Sequence, residues 1–113
     1  MDPGLLPETL MSLLKTSQPP AVVDVRKRPA FEADPAMLPG AVWRDPHAVE
    51  QWVAELPPGR SVVVYCAHGH EVSQGVRDAL RRCGVTAGII EGGIEGWRAA
   101  GGLVVAAQEG DRP

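Results

Sequence analysis

Cys66 is the residue of this chain best placed to do chemistry. It closes the apolar run Ser61-Val62-Val63-Val64-Tyr65-Cys66 and is followed by Ala67-His68-Gly69-His70, with a segment of helical periodicity from Glu71 onward. A tight loop between a buried strand and a helix lets the backbone N–H groups of Ala67, His68, Gly69, His70, Glu71 and Val72 converge on the sulfur. The positive end of the helix dipole points the same way. Such a cradle favours a thiolate, so the sulfur becomes a nucleophile at neutral pH, and the same amides can then hold a persulfide sulfur or an oxyanion. The competing reading is a core cysteine that merely ends a strand, because free cysteines are among the most buried residue types. The glycine-containing loop is what separates Cys66 from that reading.

Cys66, His68 and His70 together suggest a metal site by residue type. Three ligands so close in one tight loop cannot readily surround a tetrahedral ion, so no metal is expected. The two histidines are read as shaping the pocket, with partial positive charge near a bound anion. Cys83 falls on a helical stripe with Val72, Val76, Ala79 and Leu80. That spacing predicts a core thiol that is alkylated only on unfolding. Arg81-Arg82 reads as a solvated helix end.

The elements that must position Cys66 follow from the rest of the chain. With 113 residues, 44% apolar and 22% charged, the balance is that of one folded domain. It is expected over residues 1–106, with a polar, frayed tail over 107–113. Lys and Arg number 11 against 14 Asp and Glu, a net charge of −3 without a basic cluster, so nucleic acid is not an expected partner. Purely apolar stretches such as Val62-Val63-Val64-Tyr65 are far shorter than the roughly 20 residues a bilayer needs. No basic start followed by an apolar run opens the chain, so neither a membrane partner nor a secretory signal is expected. Two cysteines outside any Cys-x-x-Cys pair fit a reducing compartment, the cytoplasm.

The 13 Gly and 11 Pro act as punctuation. Leu6, Leu10, Leu13 and Leu14 lie at helical spacing around Pro7 to Lys15, stopped by Pro19-Pro20. Ala21 to Val25 and Ser61 to Cys66 read as buried parallel strands. Between them a helix capped at Asp45 carries Val49, Trp52, Val53 and Leu56 on one face. A second helix runs from Glu71 to Gly84, followed by a strand from Thr86 to Ile90, a turn at Glu91-Gly92-Gly93 and a last helix from Ile94 to Ala100. Strands alternating with helices in this way predict an α/β domain: a small open, mainly parallel sheet flanked by helices on both faces. Right-handed crossovers place the strand ends at Val25 and Cys66 on one edge, where such folds bind ligands.

Three segments make the chain resemble the rhodanese-like domain family, over roughly residues 5 to 106. The first is Val22-Val23-Asp24-Val25-Arg26 with Phe31-Glu32, together with Leu38-Pro39-Gly40-Ala41. The second is Cys66-Ala67-His68-Gly69-His70-Glu71 leading into Val72-Ser73, similar to a six-residue Cys-x-x-Gly-x-x active loop. The third is Glu91-Gly92-Gly93-Ile94-Glu95-Gly96-Trp97 with Gly101-Gly102. In this order and spacing they are specific. The resemblance implies a rhodanese-like sulfurtransferase that needs no cofactor. Cys66 would take sulfane sulfur from thiosulfate, a small-molecule persulfide or a partner protein's persulfide, and pass it to a thiol or cyanide. It also implies that Asp24 and Arg26 form a supporting pair beneath the active loop. Related phosphatases and arsenate reductases of the fold use a loop one residue longer. Met37 stands where the family's turn usually has His, and Glu71 stands where many thiosulfate-using members carry Arg, which predicts poor use of thiosulfate. A regulatory or binding module, a redox or sulfur sensor with little turnover, is the alternative.

Overall fold

The computed structural model describes residues 4–113, so the first three residues of the expected 1–106 domain lie outside the described part. In chain order the elements are α1 (Pro7–Leu13), β1 (Ala21–Asp24), α2 (Arg28–Ala33), β2 (Ala36–Met37), β3 (Val42–Trp43), α3 (Val49–Trp52), β4 (Val62–Tyr65), α4 (Glu71–Arg82), β5 (Ala87–Ile89), α5 (Gly93–Ala99) and β6 (Val105–Ala106). The main sheet has four parallel strands in the order β3-β1-β4-β5, and β2 pairs antiparallel with β6 in a separate ribbon.

Both faces of the main sheet are covered, which is why β1 and β4 read as continuous apolar runs. Alternate residues of each strand face opposite ways. Val22, Val63 and Tyr65 pack with Leu10, Phe31, Ile94 and Trp97 of α1, α2 and α5. Val23, Val62 and Val64 pack on the other face with Val49, Trp52, Val76 and Leu80 of α3 and α4. The expected α/β architecture is therefore present. Among the described residues no helix is long and apolar enough to cross a membrane.

Two expectations are corrected. Cys83 is exposed, not in the core: α4 ends at Arg82 and Cys83 is its C-cap, φ −89°, ψ 9°, so the stripe ends before that position. It is therefore accessible to alkylation in the folded chain. The helix expected to be capped at Asp45 begins at Val49, with Ala48 as N-cap. Asp45 instead closes a turn on itself, its Oδ1 accepting from the His47 N–H at 2.9 Å, a local bond that competes with helix initiation.

Candidate active site

Register brings the site residues to one edge. β1 and β4 pair with Asp24 opposite Tyr65, and the Val25 N–H donates to the Tyr65 carbonyl at 2.9 Å. Cys66, the next residue, thus leaves the sheet level with Val25 and beside Arg26. It is 7% exposed. The loop turns back through Gly69, φ +77°, where a Cβ would stand 2.8 Å from the Gly92 nitrogen; only glycine fits there.

The Cys66 thiol donates to the Oγ of Ser73 at 3.2 Å, and the Ser73 hydroxyl donates to the His70 carbonyl at 3.3 Å. When Cys66 is a thiolate, the same hydroxyl turns and donates to sulfur. Burial pushes the Cys66 thiol up, but the Ser73 hydroxyl and the backbone N–H groups of Ser73, Gly69 and His70 outweigh it, and the pKa lies below its ordinary value. Their bonds favour the charged form. Ser73, fully buried, was not among the residues expected at the site. Its one signal is a lone hydroxyl in the first turn of an apolar helix face. Ser73→Ala raises the pH midpoint of Cys66 alkylation by iodoacetamide, measured in a Cys83→Ser background so that the exposed second thiol does not contribute. An unmoved midpoint would show that the hydroxyl does not hold the thiolate.

The Gly92-Gly93 turn braces the loop from behind. The Ile94 N–H donates to the Cys66 carbonyl at 3.0 Å and the Glu95 N–H to the Ala67 carbonyl at 3.1 Å, so the first turn of α5 takes up two loop carbonyls. Gly93 sits at φ +62°, and a Cβ there would overlap the Cys66 and Ala67 carbonyls. Gly93→Ala therefore displaces the loop, and turnover falls by about tenfold or more, since misplacement by 1 Å costs on the order of 10²-fold. Activity within twofold of wild type would sink this account of the turn.

Beneath the loop, Asp24 and Arg26 are buried at 0% and 2% exposure. The Arg26 Nε donates to both Asp24 oxygens, at 3.1 and 3.0 Å, and Nη2 to Oδ2 at 2.6 Å. The same guanidinium donates to the carbonyls of Asp34 and Ala36, each at 2.8 Å, tying the link between α2 and β2 to the end of β1. The Trp43 indole N–H donates to the Arg26 carbonyl at 2.7 Å.

Cys66 opens into a cleft of about 460 Å³, lined also by Arg26, Lys27, Ala30, Ala67, His68, His70, Glu71 and Val72. The structure thus brings Ala67, His68, His70, Glu71 and Val72 to the cleft and adds Lys27 and Ala30, while the loop amides that reach the sulfur are those of Gly69 and His70, joined by that of Ser73. His68 and His70 stand at the rim with ring centroids 6.3 Å apart. Among the described residues no group of three or more His, Cys, Asp and Glu is arranged to hold a metal ion. A slightly larger hollow of about 530 Å³ borders Pro19, Ala21, Val42 and Arg60 at the N-terminal end of β1 and contains no cysteine or histidine. The C-terminal edge is where open α/β sheets bind ligands, and Cys66 lies there.

A family model described as the Rhodanese-like domain matches residues 6–100. The fold is similar to that of a rhodanese-related protein from Thermoplasma volcanium, at 24% identity and a TM-score of 0.77, covering 90% of this chain and 96% of that one. It is also similar to a full-length protein from Lactobacillus plantarum, at 24% identity and a TM-score of 0.81, covering 92% and 88%. A thiosulfate sulfurtransferase from Pseudomonas aeruginosa shares the fold at 20% identity and a TM-score of 0.80; 94% of this chain covers 20% of that one. At these identities the likeness is one of fold. No curated protein matches the sequence.

Proposed function

The chain belongs to the rhodanese-like domain family, and from that premise we propose that it is a sulfurtransferase carrying sulfane sulfur as a persulfide on Cys66. The observation that carries this reading is the Cys66 thiol itself, lowered in pKa by the loop amides and Ser73 and opening into a cleft. The Cys66 thiolate attacks the outer sulfur of the donor. The donor's S–S bond breaks, its electron pair leaves on sulfite or on a thiolate, and the new terminal sulfur stays on Cys66 as a persulfide anion. The N–H groups of Gly69, His70 and Ser73 then hold this anion as they held the thiolate. A thiol or cyanide takes the outer sulfur in the second step and returns the Cys66 thiolate. The six-residue loop favours sulfur over a tetrahedral phosphate as its guest, and two free thiols fit a reducing compartment such as the cytoplasm.

Mass spectrometry of the chain after incubation with thiosulfate, and separately with a persulfide donor, tests this directly. We expect one added sulfur atom on the peptide containing Cys66 and its release by cyanide as thiocyanate. A Cys66 peptide left unmodified by both donors overturns the proposal. Loading without catalytic release of thiocyanate or transfer to a thiol identifies a sensor module instead.

A further inference from the structure

The cleft at Cys66 does not end at Val72. Lys27 and Val72 also line a second hollow of about 250 Å³, bordered further on by Pro46, His47, Gly75 and Val76, so the two run together as one groove. Both walls of the second hollow are anchored. On one side the Asp45 carbonyl accepts from the Ala48 N–H at 3.1 Å and from the Trp52 indole N–H at 2.8 Å, which fixes the Pro46-His47 turn. On the other lies the flank of α4, with Val76 buried and Val72 half-buried. Gly75 leaves that flank bare. A glycine inside a helix costs stability relative to alanine, and nothing in this chain asks for one here: its φ is not positive, and a Cβ added to it would meet no atom within 4 Å. Gly69 and Gly93, by contrast, are each held against backbone that a Cβ would strike. The space over Gly75 is open to a group from outside the chain. With volumes of about 460 and 250 Å³, the hollows are each about 8–10 Å across, the reach of roughly three residues of extended chain at about 3.3 Å per residue. A donor the size of thiosulfate fills only the first.

We propose that this groove is the docking site of a partner protein that exchanges sulfane sulfur with Cys66, laying an extended segment along it with a cysteine at Cys66 and, about three residues away, an apolar side chain over Gly75. This rests on the persulfide chemistry proposed for Cys66. Val72, Val76 and Pro46 wall the space over Gly75 with apolar surface, which favours an apolar anchor. The distance of that anchor from the sulfur selects a polypeptide, whose backbone spans both hollows and whose side chains are read one by one. In the outward direction the segment's thiolate attacks the outer sulfur of the Cys66 hydropersulfide. The bond between that sulfur and Sγ breaks, its electron pair leaves on the Cys66 thiolate, and the segment departs as the hydropersulfide, without an external oxidant or reductant.

The test uses the full chain in a Cys83→Ser background, loaded with sodium tetrasulfide, desalted and checked by mass for one added sulfur. Two eleven-residue peptides stand in for the partner's segment: serines around one central cysteine with a leucine three positions to either side, and the same peptide with serine in place of both leucines. Their cysteines have the same neighbours and the same acidity, so the ratio of single-turnover transfer rates at low peptide concentration reports the anchor alone. The leucine peptide should react about fivefold faster or more, the scale of partly burying one leucine. Gly75→Gln, which fills the hollow from α4, should bring the ratio below about twofold, while Gly75→Ala should raise Tm by a few degrees because a helix gains from alanine. Equal rates in the unsubstituted protein, or a leucine preference that survives Gly75→Gln, overturn the docking groove and leave sulfur transfer standing. A fall in Tm for Gly75→Ala shows that the fold itself needs the glycine and overturns the groove as well. Failure to load at all overturns both readings.

Discussion

Cys66→Ser abolishes sulfur loading and lowers cyanide-dependent thiocyanate release by about 10³-fold or more, the scale on which loss of a covalent nucleophile is felt. A serine hydroxyl stays protonated where the thiol ionises, and the loop amides that stabilise a thiolate cannot bring it into the neutral range. Cys83→Ser retains turnover close to wild type, because Cys83 is an exposed C-cap at the far end of α4 from the cleft. The pair of variants separates nucleophile from bystander. Equal loss in both would mean that sulfur does not travel through Cys66.

Asp24→Ala should be the most destabilising single change near the site. It leaves the Arg26 guanidinium at 2% exposure without its counter-ion, and removing one partner of a buried pair costs about 3–5 kcal/mol. The two carbonyls of Asp34 and Ala36 still accept from Arg26, but neutral acceptors do not replace a carboxylate that accepts from both Nε and Nη2. For a domain of this size each 1 kcal/mol moves Tm by roughly 4–8 °C, so thermal unfolding should fall by more than about 10 °C. A drop within about 3 °C would show that the pair contributes little beyond what the carbonyls supply.

How much was legible varied with the length of each segment. β1 and β4 stand out as β-branched runs, and α1 and α4 as apolar stripes bounded by Pro and Gly. α2 and the two-residue strands β2, β3 and β6 are too short to show a period. They are held instead by partners distant in sequence, such as Met37 opposite Val105. Cys83 misled because a stripe gives the face of a helix and not where its contact with the sheet ends. Ser73 went unnoticed because its meaning is a 3.2 Å approach to Cys66 across the loop, and a hydroxyl in a first turn is locally unremarkable.

By itself the sequence determined the alternation of strands and helices, the place of Cys66 at the end of a buried strand and the glycine loop that follows, since these depend on local propensity and on residue-type order. Tertiary structure alone decided what surrounds the sulfur. It set Ser73 against the thiol, closed the Gly92-Gly93 turn onto the Cys66 and Ala67 carbonyls, consumed the Arg26 charge with Asp24, and brought Lys27 and Glu71 to the same cleft. The turn and the active-site loop are segments the chain keeps apart, brought together by the parallel register of β4 and β5, whereas Ser73 and the Asp24–Arg26 pair meet over a few residues because the loop and the strand end fold back on themselves. Hydrogen bonds and charges act over a few ångströms, and that distance is a property of the packed sheet, not of the spacing along the chain.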